Sequence, residues 1–243
     1  MSGHQPPNRL AGPFDAGLHL LDRQVVDRDG AMVGKVDDVE LADGPDGTLW
    51  VSGLLLGPPA LLPRFGGHRV GRWLLERYRT LGVSRAERTV PGRIDVADVD
   101  RLTSDVRLAR AREGVVVPQP QATGEVVLRR LEHLMDMEVR VPGRDDLRIL
   151  DVRLEPSGGL GHERVVVAGL VVGRSGRPGS LLGYDRSPDQ GPWLVARVVR
   201  WLHRRTALVP MDQVAGIDWE RGVIETAGEP RPLQHPWTAT DDV

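Results

Sequence analysis

The chain has 243 residues, of which 40% are hydrophobic and 27% are charged, and its formal net charge at pH 7 is −2. This composition is that of an ordinary globular protein, and the charge excludes a strong overall attraction to nucleic acid or to an acidic membrane surface. Cysteine is absent, which excludes disulfides, thiol nucleophiles and cysteine-bound zinc and fits a cytoplasmic location. The opening residues do not form a secretory signal, and no apolar run reaches the ~18 residues of a membrane helix.

The first predicted elements are strands. The stretch VVDRDGAMVGKVDDVEL (25–41) predicts two strands joined by a tight turn, because Asp29-Gly30 accepts the positive φ of a hairpin. Apolar residues at 36, 39 and 41 continue in alternation. LWVSGLLLG (49–57) is an almost continuous apolar run, which predicts a strand buried on both faces.

A helix is predicted next. In GRWLLERYR (71–79) and the residues that follow it, Leu74, Tyr78 and Leu81 recur at helical spacing, and Gly82 is suited to end the helix. After it, TVPGRIDVADVD (89–100) and DVRLA (105–109) predict the last strands of this half, with the Val-Pro at a strand start or edge. Residues 111–128 contain PQPQATG, which is typical of a linker.

The second half of the chain repeats the pattern of the first. Its helix is predicted from Pro192 at the first turn and from Leu194, Val198 and Leu202 at helical spacing. Six segments match in the same order, with small changes of offset in the loops. The matched pairs are 19–26 with 133–140, 36–41 with 149–154, 51–57 with 167–173, 61–79 with 181–199, 90–91 with 209–210, and 96–100 with 214–218. This order predicts an internal duplication.

The predicted fold class is mainly β, with two tandem small β-barrels that each carry one inserted amphipathic helix. The expected organisation is a flexible N-terminal tail (1–15), a first barrel (16–110), a linker (111–128), a second barrel (129–226) and a flexible C-terminal tail (227–243).

These segments resemble the PRC-barrel family. VVDRDGAMVGKVDDVEL is similar to the family's opening hairpin, and VPMDQVAGIDWERGVI (209–224) is similar to its closing strands. The second half replaces the Asp-Gly turn with PGRDD (142–146), so its hairpin must turn differently. The resemblance covers roughly 17–110 and 129–226 and implies a non-enzymatic β-barrel adaptor without a catalytic motif. Members occur in the photosynthetic reaction-centre H subunit and in the ribosome maturation factor RimM.

Tryptophan and arginine share one face of each predicted helix. The candidate interaction surface consists of Trp73, Arg77, Trp193, Arg197, Arg200, Trp201 and Arg204. Exposed, these residues have the composition of a protein-binding surface or of a stacking platform for nucleic acid. Buried, they would cap the barrels or form the contact between them, with arginine lying on tryptophan.

No catalytic, cofactor or metal site is predicted. Asp27, Asp29 and Asp38 resemble a calcium loop only faintly, and we interpret them as turn and surface carboxylates. His19 and His133 occupy matching places and are expected to be structural residues at strand starts. Histidine-based metal motifs, nucleophile elbows and phosphate-binding glycine loops are missing from the sequence.

Three functions remain open at this stage. The first is a non-enzymatic adaptor that binds a protein partner through a pseudo-twofold pair of barrels, with homo-oligomerisation possible. The second is an RNA- or ribosome-associated assembly factor that uses the arginine-rich helix 193–205, although the acidic net charge disfavours nucleic acid. The third is a small-molecule sensor. Steep salt dependence of binding would distinguish the second from the first.

Overall fold

The computed structural model describes residues 8–64, 73, 75–78, 90–120, 126–157, 164–173 and 206–233. The protein is mainly β, as predicted. In chain order the described elements are β1 (Phe14–Asp15), α1 (Ala16–His19), β2 (Gln24–Val26), β3 (Met32–Lys35), β4 (Asp38–Asp43), β5 (Leu49–Leu56), α2 (Pro58–Leu61), β6 (Gly92–Asp95), β7 (Val99–Leu102), β8 (Val106–Leu108), β9 (Val117–Pro118), β10 (Val127–Arg130), α3 (Leu131–Met135), β11 (Glu138–Val141), β12 (Arg144–Ser157), β13 (Arg164–Gly173), β14 (Ala207–Pro210), β15 (Val214–Asp218), β16 (Val223–Thr226) and β17 (Arg231–Pro232). Short 3-10 turns lie at Arg9–Ala11, Leu62–Arg64, Val96–Asp98 and Met211–Gln213.

The described residues belong to two compact units. The first unit is built from residues 8–13, 19–133 and 155–166, and the second from 14–18, 134–154 and 167–233. Each unit is therefore discontinuous in sequence, because it includes a segment that is distant in the chain from the rest of the unit.

A four-stranded sheet in the first unit has the order β3-β2-β8-β7. The first hairpin, β2 to β3, forms where the sequence predicts it, and Gly30 takes the positive φ of +84°. Strand β2 pairs in parallel with β8, and β8 pairs antiparallel with β7. Val25, Leu102 and Val106 are completely buried in this sheet.

The other strands of the first unit pair antiparallel in the order β10-β4-β5-β6-β9. Strand β4 is buried from Asp38 to Ala42, so the alternation expected from its apolar residues is wrong. The prediction for β5 is confirmed for Gly53–Leu56, which are all buried. At the start of β5 burial alternates along the strand, and Trp50 and Ser52 lie on the face that is only half-buried.

The second unit has its own hairpin, β11 to β12, which turns through Pro142 and Gly143 and brings Val141 opposite Arg144. Gly143 has a φ of +78°, which a Pro-Gly turn accommodates. The hairpin thus turns differently from the first, as predicted. Strand β11 also pairs in parallel with β16, β16 pairs antiparallel with β15, and β13 pairs antiparallel with β14.

The expected closure into two barrels is wrong for the described strands, because their sheets end in unpaired edges rather than closing on themselves. The four-stranded sheet, for example, ends at β3 and β7, which do not pair with each other. A closed barrel removes all edges, whereas these short strands leave them at the ends of the sheets.

Each unit includes a short strand and helix at one edge. Strand β1 pairs with β12 in the second unit, with Phe14 opposite Leu154 and Asp15 opposite Arg153. Strand β10 pairs with β4 in the first unit and continues into α3. The predicted N-terminal tail therefore includes Phe14, which is completely buried, and Asp15.

Candidate interaction surface

Trp73 lies in a helical segment and exposes 56% of its surface. Arg77 is also exposed, and its guanidinium carbon lies 5.9 Å from the centroid of the Trp73 ring. This distance is at the outer limit of a cation–π contact, so the contact stabilises the pair by less than about 1 kcal/mol. The pair therefore presents aromatic and cationic surface to solvent. The buried interpretation of Trp73 is wrong in the described structure.

The other members of the predicted surface lie outside the described residues; they are Trp193, Arg197, Arg200, Trp201 and Arg204. The helix predicted around them lies there as well, so only the Trp73 and Arg77 part of the surface has a geometry.

Arg64 holds the chain shortly before the Trp73 segment. Its guanidinium donates to both carboxylate oxygens of Asp22, at 3.2 and 3.1 Å, and to the carbonyl oxygen of Asp37 at 3.0 Å. Burial would raise the pKa of the Asp22 carboxyl, but hydrogen bonds and charge from Arg64 and Lys35 hold that pKa below its usual range. This bidentate ion pair holds the chain at Arg64 on the first unit.

A second cation–π pair was missed by the sequence analysis. The guanidinium carbon of Arg164 lies 4.6 Å from the centroid of the Trp50 ring, and both residues belong to the first unit. The available signal was Trp50 standing between buried Leu49 and Val51, which places its ring on the opposite face of the strand. Arg164 lies more than a hundred residues away in sequence, so no local sequence pattern indicates that it contacts Trp50.

Two matching aspartates are buried at the strand-to-helix junctions. Asp38 accepts hydrogen bonds from the backbone N–H groups of Val39 at 2.8 Å and Glu132 at 3.2 Å, and its Oδ2 has no partner. Burial raises the pKa of Asp38 to about 7, with Glu132 adding to the rise and Arg130 opposing it. The acid thus caps the start of α3 within the first unit.

Asp151 makes the equivalent contacts in the second unit. It accepts from the backbone N–H groups of Gly17 at 2.6 Å, Leu18 at 3.1 Å and Val152 at 2.7 Å. Burial and the neighbouring charge of Asp15 raise the pKa of Asp151 to about 7. Both aspartates position backbone N–H groups.

Asp27 is also structural rather than a surface carboxylate. It is 3% exposed and accepts from the backbone N–H groups of Asp29, Ala31 and Arg112. Burial would raise the pKa of Asp27, but these three donors hold it below its usual value. The interpretation as turn and surface carboxylates is thus confirmed for exposed Asp29, is correct for Asp27 as to the turn but not the surface, and is wrong for Asp38. No group of three potential metal ligands occurs among the described residues.

Glu40 connects three strands of the first unit and the residue that follows β9. Its side chain is completely buried and accepts hydrogen bonds from Arg93 at 2.7 Å, Ser52 at 2.8 Å and Gln119 at 2.7 Å. Gln119 lies within the predicted linker, so this part of the linker is held against the sheet. The network supplies hydrogen-bond donors to the buried carboxylate.

The two matching histidines lie in short helices rather than at strand starts. His19 ends α1 and is 6% exposed, and His133 lies in α3. The prediction that the two histidines lie at strand starts is therefore wrong. The strands that follow them, β2 and β11, begin several residues later.

With this geometry established, comparison with known proteins adds no identification. No model of a known protein family matches the chain, and none of the curated proteins is detectably similar to it. Within the described segments, every helix is too short or too polar to cross a membrane. The class of protein that the structure itself supports is a mainly β protein with an exposed tryptophan–arginine pair.

Proposed function

We propose that this protein is a non-enzymatic adaptor of the PRC-barrel type that binds a protein partner through a surface centred on Trp73 and Arg77. The observation that carries the proposal is the exposure of Trp73 beside Arg77. Tryptophan and arginine are the residue types that most often dominate the energy of protein interfaces. An indole left in water also costs hydrophobic free energy that a partner would recover.

Duplication of one module is supported by matching strand pairs in the two units. A parallel pair joins β2 to β8 in the first unit and β11 to β16 in the second. The antiparallel pair β7–β8 has a register shift at its first residues, and the pair β15–β16 has one at the same place. The trio β5, β6 and β9 corresponds to β13, β14 and β17. The pairing supports descent from one module, although the described sheets are open.

A non-enzymatic role is supported by the use of the buried charged groups. Asp38, Asp151, Asp27 and Glu40 are buried, and each accepts hydrogen bonds from backbone or side-chain donors that hold the fold together. A catalytic acid or base needs access to a substrate proton, and these four carboxylates lack it. We place the adaptor in the cytoplasm as part of the same proposal.

The test is quantitative capture of partners from extracts of the native cell. Wild type is compared with the double substitution Trp73→Ala and Arg77→Ala and with the control Met32→Ser. Met32 is 58% exposed, so the control removes a similarly exposed apolar side chain from a different place. We expect at least one protein to be lost at least tenfold with the double variant and retained with the control.

Two results would contradict the adaptor proposal. One is a partner set that the Trp73 and Arg77 substitutions leave unchanged. The other is capture of RNA in place of protein, abolished steeply by raised salt, which would favour the RNA-associated function instead. The melting temperature of all three proteins is measured alongside the capture. A large loss of stability in the double variant would show that Trp73 stabilises the fold rather than binding a partner.

A further inference from the structure

The segment Phe14–Leu18, here called the arm, is separated in sequence from the unit that it completes. It belongs to the second unit, whereas the chain that follows it immediately belongs to the first. The arm consists of β1 and most of α1. Its strand lies against β12, where residues separated by 138 positions form an ion pair.

The arm is held by a compact set of specific contacts. Phe14 is completely buried, and Asp15 forms an ion pair with Arg153, whose side chain is 8% exposed. The buried carboxylate of Asp151 receives the backbone N–H groups of Gly17 and Leu18. A Cβ added to Gly17 would lie 2.9 Å from an oxygen of Asp151, so this site also selects glycine sterically. The ion pair and the two backbone hydrogen bonds join the arm to β12.

The first unit has the same kind of site. Strand β10 lies against β4, and the backbone N–H of Glu132 donates to buried Asp38. In both units a strand and helix dock on the strand that bears the buried aspartate. The same kind of docking thus occurs with two different chain connections, because the two segments come from different places in the chain.

The connection after the arm contains a backbone strain. Asp22 has a φ of +66° and is the one residue other than glycine with positive φ among those described. Such a conformation costs roughly 1 kcal/mol for a residue with a side chain. Asp22 is held in the first unit by Arg64 and Lys35, so the hinge for exchange is the few residues between Leu18 and Asp22. Short hinges favour exchange of an element between identical chains.

We propose that the arm is exchangeable: Phe14–Leu18 docks on β12 of its own chain and docks identically on β12 of a second copy of this chain, giving an arm-exchanged dimer. The partner copy supplies every residue of the arm to the site, so the dimer makes the same contacts as the monomer. The proposal is independent of the Trp73 surface and of the adaptor function.

The test exchanges charges between two full-length chains. One chain carries Asp15→Arg and the other carries Arg153→Asp. Within either chain alone, and within its homodimer, the arm now meets a like charge. In a mixed dimer both arms meet an opposite charge, because the introduced arginine faces the introduced aspartate and the unchanged Asp15 faces the unchanged Arg153.

We expect the two variants, unfolded and refolded together, to give a species of twice the 26.7 kDa chain mass by light scattering. Each variant alone gives no such species, and a chain carrying both substitutions remains monomeric like the wild type at the same concentration. Adding Gly17→Ala to both chains should reduce the dimer at least tenfold, whereas Gly12→Ala should not, because a Cβ at Gly12 meets nothing within 4 Å. A mixture that stays monomeric, while the doubly substituted chain folds, would overturn the proposal.

A second measurement covers the case in which the doubly substituted chain does not fold. The chain lacks cysteine, so Asp15→Cys in one chain and Arg153→Cys in another can form a disulfide only between chains. Oxidation after incubation at high concentration should give a covalent dimer, whereas a Gly12→Cys chain mixed with the Arg153→Cys chain should give at least tenfold less. Equal dimer yields in the two mixtures, or none in either, would refute arm exchange.

Discussion

The buried carboxyl of Asp38 makes the stability of the first unit depend on pH. Its pKa is raised from 3.8 to about 7, because burial disfavours the charged form more strongly than the charge of Arg130 and the hydrogen bond from Val39 favour it, and the charge of Glu132 adds to the rise. The folded state therefore binds a proton more tightly than the unfolded state. This contribution is fully present below the unfolded-state pKa and is lost as the pH rises through the folded-state pKa of about 7.

The substitution Asp38→Asn removes this titration while keeping the geometry. Its amide oxygen can still accept from Val39 and Glu132, and its amide nitrogen replaces the oxygen that has no partner. A pKa unit corresponds to about 1.4 kcal/mol, so wild type should lose about 3 kcal/mol relative to the variant between about pH 5 and about pH 8.

The assay is urea unfolding of wild type and Asp38→Asn at several pH values across this range. Asp151 titrates in both proteins, so its effect cancels in the difference. Asp29→Asn is the matched control, because the Asp29 side chain is 68% exposed and should give a difference that does not change with pH. A wild-type-minus-variant free energy that stays constant from pH 5 to pH 8 would refute the argument that Asp38 is protonated by burial.

Three further predictions concern the sheets. Glu40→Ala should destabilise the protein by about 3–5 kcal/mol in urea unfolding, since it breaks the buried ion pair with Arg93 and removes the acceptor that Ser52 and Gln119 share, and Glu40→Gln should cost less. Gly53→Ala should lower the melting temperature, because its Cβ would lie 3.0 Å from the carbonyl oxygen of Ile94, whereas Gly216→Ala in β15 should have little effect because its Cβ meets nothing within 4 Å. Gly143→Ala should cost about 1 kcal/mol because of its positive φ, and an unchanged midpoint would contradict the observed turn.

The sequence allows the local structure to be predicted well wherever the signal is local. The hairpin at Gly30, the apolar strand β5 and the different turn at Gly143 all follow from turn chemistry and from runs of apolar residues. The exposure of Trp73 is not decided by sequence, because a tryptophan and an arginine at helical spacing pack equally well on a core or on a partner.

The remaining features depend on residues that are far apart in the chain. Asp38 looks like one polar residue in an alternating strand, and it is buried because α3 begins against it almost a hundred positions later. Phe14 looks like part of a tail, and it is buried because β12 provides an edge. Alternation predicts which residues share a face but not whether a distant segment will cover that face.

The arm also constrains how the protein folds during its synthesis. Asp15 and its partner Arg153 are 138 residues apart, and a ribosome that adds about 5–20 residues per second needs about 7–28 s to translate that interval. The apolar Phe14 thus emerges long before the edge that covers it exists. A nascent chain with this arrangement therefore holds Phe14 and Asp15 without their partner strand until Arg153 has been translated.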